Sequence, residues 1–160
     1  MDLILWRHAE AEPAESVPDA SQALPLDLRR PLTGRGQKHA ARMAAWLEQR
    51  LPDSARILVS PALRCEQTAL NLGRKFRTCD ELGPLGQRQQ LLNLAQWPDC
   101  KVPVLVVGHQ PMLGQTVAHL LGLAQRDLSI RKGALWWLRQ RVRDGQPQTL
   151  LMAVQSPDFL

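Results

Sequence analysis

Leu3-Ile4-Leu5-Trp6-Arg7-His8-Ala9-Glu10 begins as an apolar run and ends abruptly in an arginine, a histidine and, two residues on, a glutamate. A short continuous apolar run reads as a buried strand, so the Arg-His pair stands where that strand leaves the core. In open α/β sheets, ligands bind at the carboxyl ends of the strands. Two later segments repeat the pattern. Ile57-Leu58-Val59 leads into Ser60-Pro61-Ala62-Leu63-Arg64, and Val102-Pro103-Val104-Leu105-Val106-Val107 leads into Gly108-His109-Gln110-Pro111. Three strands thus bring two arginines and two histidines to their C-terminal ends, as a phosphate site with a nucleophile inside it requires.

The segments between these strands read mostly as helices. Thr33 offers an N-cap to a helix through about Arg50, whose Ala40, Met43, Ala44, Leu47 and Leu51 share one face. Ser60 as cap and Pro61 at the first helical position start another, expected to run to about Phe76 with Arg74, Lys75 and Arg77 at its end. Thr78 to Leu82 is a candidate short strand, and Gln87 to Ala95 and Met112 to Leu123 are helices. Ala134 to Leu138 and Thr149 to Val154 read as late strands joined by a turn at Asp144-Gly145. Pro13, Pro18 and Pro25 argue against a helix through Glu10 to Leu28, which reads as a long loop. That loop is either a substrate rim or a surface excursion. The alternation predicts a three-layer α/β/α sandwich with a mostly parallel central sheet.

At 160 residues, with 44% hydrophobic and 22% charged residues, the chain fits one globular domain spanning 1–160. The formal charge of +5 either steers anionic partners toward the protein or is a surplus of solvated Arg and Lys. Cys65, Cys79 and Cys100 are odd in number and lack a C-x-x-C spacing, which argues against a disulfide framework and a cysteine zinc cluster. The few apolar residues before Arg7 are too short for a signal sequence, and nothing is long enough to span a bilayer. A cytoplasmic protein with no membrane partner is expected.

Arg7-His8, Ser60-Pro61 with Arg64 and Thr68, and Gly108-His109-Gln110-Pro111 together resemble the histidine phosphatase superfamily, with its phosphoglycerate-mutase-like fold. Arg30-Pro31-Leu32-Thr33-x-x-Gly36 also resembles a segment of its short bacterial branch, the phosphohistidine phosphatases. Four segments in register, from Leu3 to about Leu138, carry the likeness; any one alone reads equally well as a strand end or a helix start. The resemblance implies a cofactor-independent phosphatase acting on a phosphorylated histidine-containing signalling protein. It implies that His109 stabilises rather than attacks. It also makes Arg30 a candidate to reach the phosphate from the loop side, although a solvated arginine beside Arg29 is the competing reading.

The chemistry of the residues agrees. A transferring phosphoryl group spreads charge over three equatorial oxygens, so catalysis is mainly positioning and electrostatics. Arg7 and Arg64 can each bond two oxygens in a plane and stay charged. His8 can attack phosphorus if it is neutral and one ring nitrogen is tied to a backbone carbonyl, giving a covalent phosphohistidine intermediate. His39 and His119 fall within helices and are read as surface and helix-face residues. With no further histidines or paired carboxylates at ligand spacing, no metal is expected at His8 and His109. Trp136-Trp137 is read as sheet packing.

One feature of the superfamily is missing. Members acting on phosphate esters supply a carboxylic acid shortly after the strand near Leu82, where this chain reads Asp80-Glu81-Leu82-Gly83-Pro84-Leu85-Gly86. Glu81, Glu10 and Asp27 remain the candidate acids. A small-molecule phosphomonoesterase of the same fold is one alternative, disfavoured by the short Leu82–Val102 segment that leaves little material for a lid. A non-catalytic phosphate-binding module is the other. Nucleic-acid binding finds no helix-turn-helix, zinc-finger or RNA-recognition signature.

Overall fold

The structure, a computed structural model, describes residues 1–160. Its strands are β1 (Asp2–Arg7), β2 (Arg56–Val59), β3 (Arg77–Thr78), β4 (Val104–Gly108), β5 (Leu135–Arg143) and β6 (Gln146–Gln155). The helices are α1 (Ala23–Leu28), α2 (Gly34–Glu48), α3 (Leu63–Leu70), α4 (Arg88–Ala95) and α5 (Met112–Leu120). One sheet takes all six strands in the order β3-β2-β4-β1-β5-β6. The first four are parallel, and β5 and β6 are antiparallel additions.

Strand alternation divides the core into two halves. Leu3 and Leu5 point to a cluster with Leu91, Leu92, Met112, Leu113 and Val117 of α4 and α5. Ile4 and Trp6 point the other way, to Met43, Ala44, Leu47, Cys65 and Ala69 of α2 and α3. Helices therefore cover both faces, and the expected three-layer α/β/α sandwich is the fold. A sheet buried on both faces explains why residues 3–6 of β1 and the whole of β4 are apolar rather than alternating.

Register aligns the ends that matter. Arg7 lies opposite Gly108, and both Trp6 and Val59 lie opposite Val107. The ladder continues one step past the strands, with the His8 amide donating to Gly108 O (3.2 Å) and the Ser60 amide to Val107 O (3.0 Å). Residues 7–8, 60 and 108–109 thus form one row along the sheet edge.

Several elements differ from expectation. α3 begins at Leu63 rather than at Pro61, with Ala62 at the cap position. It ends at Leu70, well before Phe76, and Gly73 turns the chain at a φ of +64°. Arg74 then serves α2 instead: it pairs with Glu48 at 2.7 Å and donates to Leu51 O and Pro52 O just beyond that helix. In place of a strand over 78–82 stand the two-residue β3, which ends at Thr78, and a 3-10 turn, Asp80–Leu82. The Glu10–Leu28 stretch is not all loop, because its end forms α1 with Pro25 in the first turn. The first amides of a helix have no intrahelical acceptor, so a proline is tolerated there.

The turn at Asp144-Gly145 is as expected. Both residues have positive φ (52° and 74°), which suits a two-residue hairpin. The hairpin itself is longer than its apolar composition suggests, since β5 and β6 run on as a largely exposed ribbon. Trp137 stacks edge-on against Trp46 of α2 and is sheet packing, as read. No helix is long and apolar enough to cross a membrane.

Candidate active site

Arg7, His8, Arg64 and His109 converge above the row formed by β1, β4 and β2. The His8 and His109 rings lie 5.2 Å apart, and the Arg64 guanidinium touches both. Its Nε donates toward His8 Nε2 (3.3 Å), and its Nη2 lies 3.3 Å from His109 Nδ1. His8 Nδ1 lies 2.7 Å from Ala9 O. A carbonyl can only accept, so Nδ1 carries the proton and the Nε2 lone pair points to Arg64. His109 is held from its other side, with Nε2 lying 2.7 Å from Ser60 Oγ.

Both imidazoles are buried among cations. Burial, then the neighbouring His109, Arg64 and Arg7, push His8 down to about 3, against the pull of the Ala9 carbonyl. Burial and Arg64 push His109 down to about 3 as well. His8 is therefore a neutral imidazole at any ordinary pH, the form that has a lone pair to give. The Cys65 thiol lies 3.5 Å from His109 Nε2, but burial pushes it up to about 12, which leaves it an inert packing group.

The second layer is local. Thr68, one turn after Arg64, donates to Arg64 O (2.7 Å) and accepts the Ala9 amide (3.1 Å), clamping α3 to the end of β1. Arg7 donates through Nη1 to Ile130 O, while its Nε is buried with no partner at all. An orphaned buried donor beside an exposed cleft is a vacancy for an anion's oxygen.

Asp27 enters from α1. Its carboxylate meets Arg64 Nη2 at 2.9 Å, and its carbonyl accepts from Arg64 Nη1 at 2.7 Å. The same carboxylate binds Arg30 at 2.7 Å. Burial works to raise Asp27, but hydrogen bonds from Arg64 and Arg30 outweigh it and hold the carboxyl below the usual range. Arg30 itself is occupied by Asp27 and Glu12 O, so it reaches the cluster only through Asp27. Glu10 accepts from Thr33 Oγ (2.8 Å), and Glu81 sits in the exposed 3-10 turn facing Leu24, Leu28 and Pro61. Among the three candidate acids, the only one in contact with the cluster is thus ionised.

Sequence reasoning missed Ser60 as the support of His109 and took it for a helix cap. Its signal was its place at the end of β2, in the same row as the histidines. His39 was assigned to the surface, but it is half-buried and lines a cavity with Arg7. A cavity of about 830 Å³ between α4 and α5 includes His119 but none of the strand-end residues. No three His, Cys, Asp or Glu side chains are grouped to hold a metal ion.

This geometry agrees with the comparisons. The profile of the histidine phosphatase superfamily (branch 1) matches residues 3–83, which carry Arg7, His8 and Arg64. The chain belongs to the histidine phosphatase superfamily. A Haemophilus influenzae protein named phosphohistidine phosphatase SixA homolog is 30% identical, with 98% of this chain and 97% of that one aligned. The Escherichia coli phosphohistidine phosphatase SixA is 33% identical over 75% of this chain and 74% of its own. The solved structure of the protein histidine phosphatase SixA complexed with tungstate superposes with a TM-score of 0.71 at 28% identity, covering 99% of both chains. With the site described above, these likenesses make this histidine phosphatase chain a phosphatase.

Proposed function

We propose that residues 1–160 form a single domain that hydrolyses phosphohistidine on a protein partner through a phosphoryl intermediate on His8. The observation that carries this reading is the pairing of a neutral His8, its unprotonated Nε2 facing Arg64, with a cationic site whose one carboxylate is ionised.

The phosphoryl group binds to Arg64, to the unpartnered Nε of Arg7 and to His109, and His8 Nε2 attacks phosphorus in line with the leaving group. A phosphoimidazole protonated on its distal nitrogen leaves as neutral imidazole, whose conjugate acid has a pKa of about 6.5. It needs no proton from the enzyme. An alkyl phosphate must expel a far more basic alkoxide, which normally requires a positioned acid. Asp27 cannot supply that proton while two guanidiniums hold it ionised. Water then attacks the intermediate, the N–P bond breaks back onto His8, and inorganic phosphate departs. The names of the relatives, which specify phosphohistidine, support the same substrate.

The test compares kcat/KM on a phosphorylated histidine-containing domain with values on sugar and glycerate phosphates. The phosphohistidine domain should be preferred by at least about tenfold. Equal or higher values on the esters would overturn the reading, and loss of ester activity in Glu81→Gln would then identify the acid.

A further inference from the structure

A cavity of about 320 Å³, with no apolar residue in its lining, shares Arg7 with the phosphoryl site but is not lined by His8, Arg64 or His109. Four cations face it: Arg7, Arg35, Arg131 and Lys132. Two carboxylates face it too, so four positive charges against two negative ones leave a surplus of two positive charges. Asp158 pairs with Arg131 at 3.1 Å, and Glu10 accepts from Thr33. Arg35 and Lys132 have no ion-pair or hydrogen-bond partner, and neither His39 nor Ser129, also in the lining, has one.

The walls are fixed rather than incidental. Gly36 brings the first turn of α2 against the backbone of Glu10, where any Cβ would collide with the Glu10 carbonyl. That approach sets Arg35, and His39 one turn later, beside the end of β1. On the other side, the loop before β5 is stitched to β1. Ile130 O accepts from Arg7, Gly133 N donates to His8 O (3.0 Å), and Gly133 O accepts from Trp6 Nε1 (2.9 Å). Ser129 and Lys132 therefore keep a set position relative to the nucleophile. An arrangement of unpaired donors on a rigid frame is preorganised for an anion, because no side chain must first give up another partner.

We infer that this cavity is an anion subsite for an acidic side chain flanking the phosphohistidine of the protein substrate, with Arg35 and Lys132 as its specificity determinants. The inference rests on the phosphohistidine reading and extends it. The shared Arg7 puts the flanking carboxylate next to the phosphoryl group.

A series of phosphohistidine peptides tests it, in which one Glu is moved from three residues before the histidine to three after it. Each peptide is compared with its Gln counterpart. At one register the Glu peptide should have a kcat/KM about tenfold higher, mostly through KM, and the preference should shrink with added salt. Arg35→Ala with Lys132→Ala should reduce that preference to below about twofold. Charge reversal, Arg35→Glu with Lys132→Glu, should transfer the preference to peptides carrying Lys. Both positions are exposed, so folding is not at stake. Wild-type enzyme that hydrolyses every peptide alike, or a double variant that loses equally on Glu and Gln peptides, overturns the subsite and leaves the phosphohistidine reading intact. An enzyme that hydrolyses neither the peptides nor a phosphorylated histidine-containing domain refutes that reading and the subsite with it.

Discussion

Two imidazoles kept neutral in a nest of cations impose a pH signature on the residue scale. His8 and His109 are pushed down to about 3 in the folded protein, chiefly by burial. In the unfolded chain they titrate near about 6.5. Between those values the unfolded state binds more protons, so stability is full above about pH 6.5 and declines as pH falls toward 3. Each histidine contributes a slope of at most about 1.4 kcal/mol per pH unit. Asp2 and Asp27, whose carboxyls are also held low, add their losses only below about pH 4, so the upper part of the window reports the histidines. Urea unfolding at about pH 7.5, 6 and 5 should show this decline, and His109→Gln should flatten it. A wild-type profile flat across that range would mean that the rings are charged in the fold. For catalysis, His8→Ala should lower kcat by at least about 10³, whereas Arg64→Ala should damage both binding and turnover. Steady-state kinetics of the two variants on a phosphohistidine substrate provide the check.

At the scale of elements, α1 and the segment after α3 decide how the site is guarded and how α2 is closed. Asp27 of α1 occupies part of the Arg64 guanidinium that the phosphoryl group is expected to use. Asp27→Asn should therefore bind inorganic phosphate several-fold more tightly, read as a lower competitive Ki; unchanged or weaker binding would show that the carboxylate positions Arg64 without competing. Arg74 ties Glu48, Leu51 O and Pro52 O together beyond α2. Its replacement by Ala should cost about 1–2 kcal/mol in chemical denaturation, with little effect on kcat.

These same elements are where sequence reading stopped short. Apolar runs long enough to be buried on both faces disclosed β1, β2 and β4, and the apolar spacing of α2 disclosed its inner face. The end of α3 was misjudged because Arg74, Lys75 and Arg77 looked like charges placed for a helix dipole. The tertiary contact of Arg74 with α2 and the positive φ of Gly73 overrode that local signal. α1 was hidden by Pro25, which is harmless only because it falls in a first turn.

On the scale of the whole molecule, a parallel sheet of order β3-β2-β4-β1 sets three strand ends side by side, and the antiparallel hairpin closes one flank. The site was legible because its principal residues sit directly after recognisable strands. Its supports were not legible: Ser60 on His109, Asp27 on Arg64 and the loop 129–133 on β1 all join residues far apart in sequence. A site built of two guanidiniums and two imidazoles, with no carboxylate cluster for a divalent ion, predicts turnover that is unchanged in excess EDTA. Activity lost to EDTA and restored by magnesium or zinc would contradict that prediction.

In the proposed reaction His8 carries the phosphoryl group between substrate and water. Enzyme mixed with a phosphohistidine donor, quenched in alkali within the first turnovers and digested for mass spectrometry, tests it most directly. A phosphoryl group should appear on the peptide containing His8, localised to that residue and absent from His8→Ala. Label found on His109 instead, or phosphate released at the native rate by His8→Ala, would contradict it.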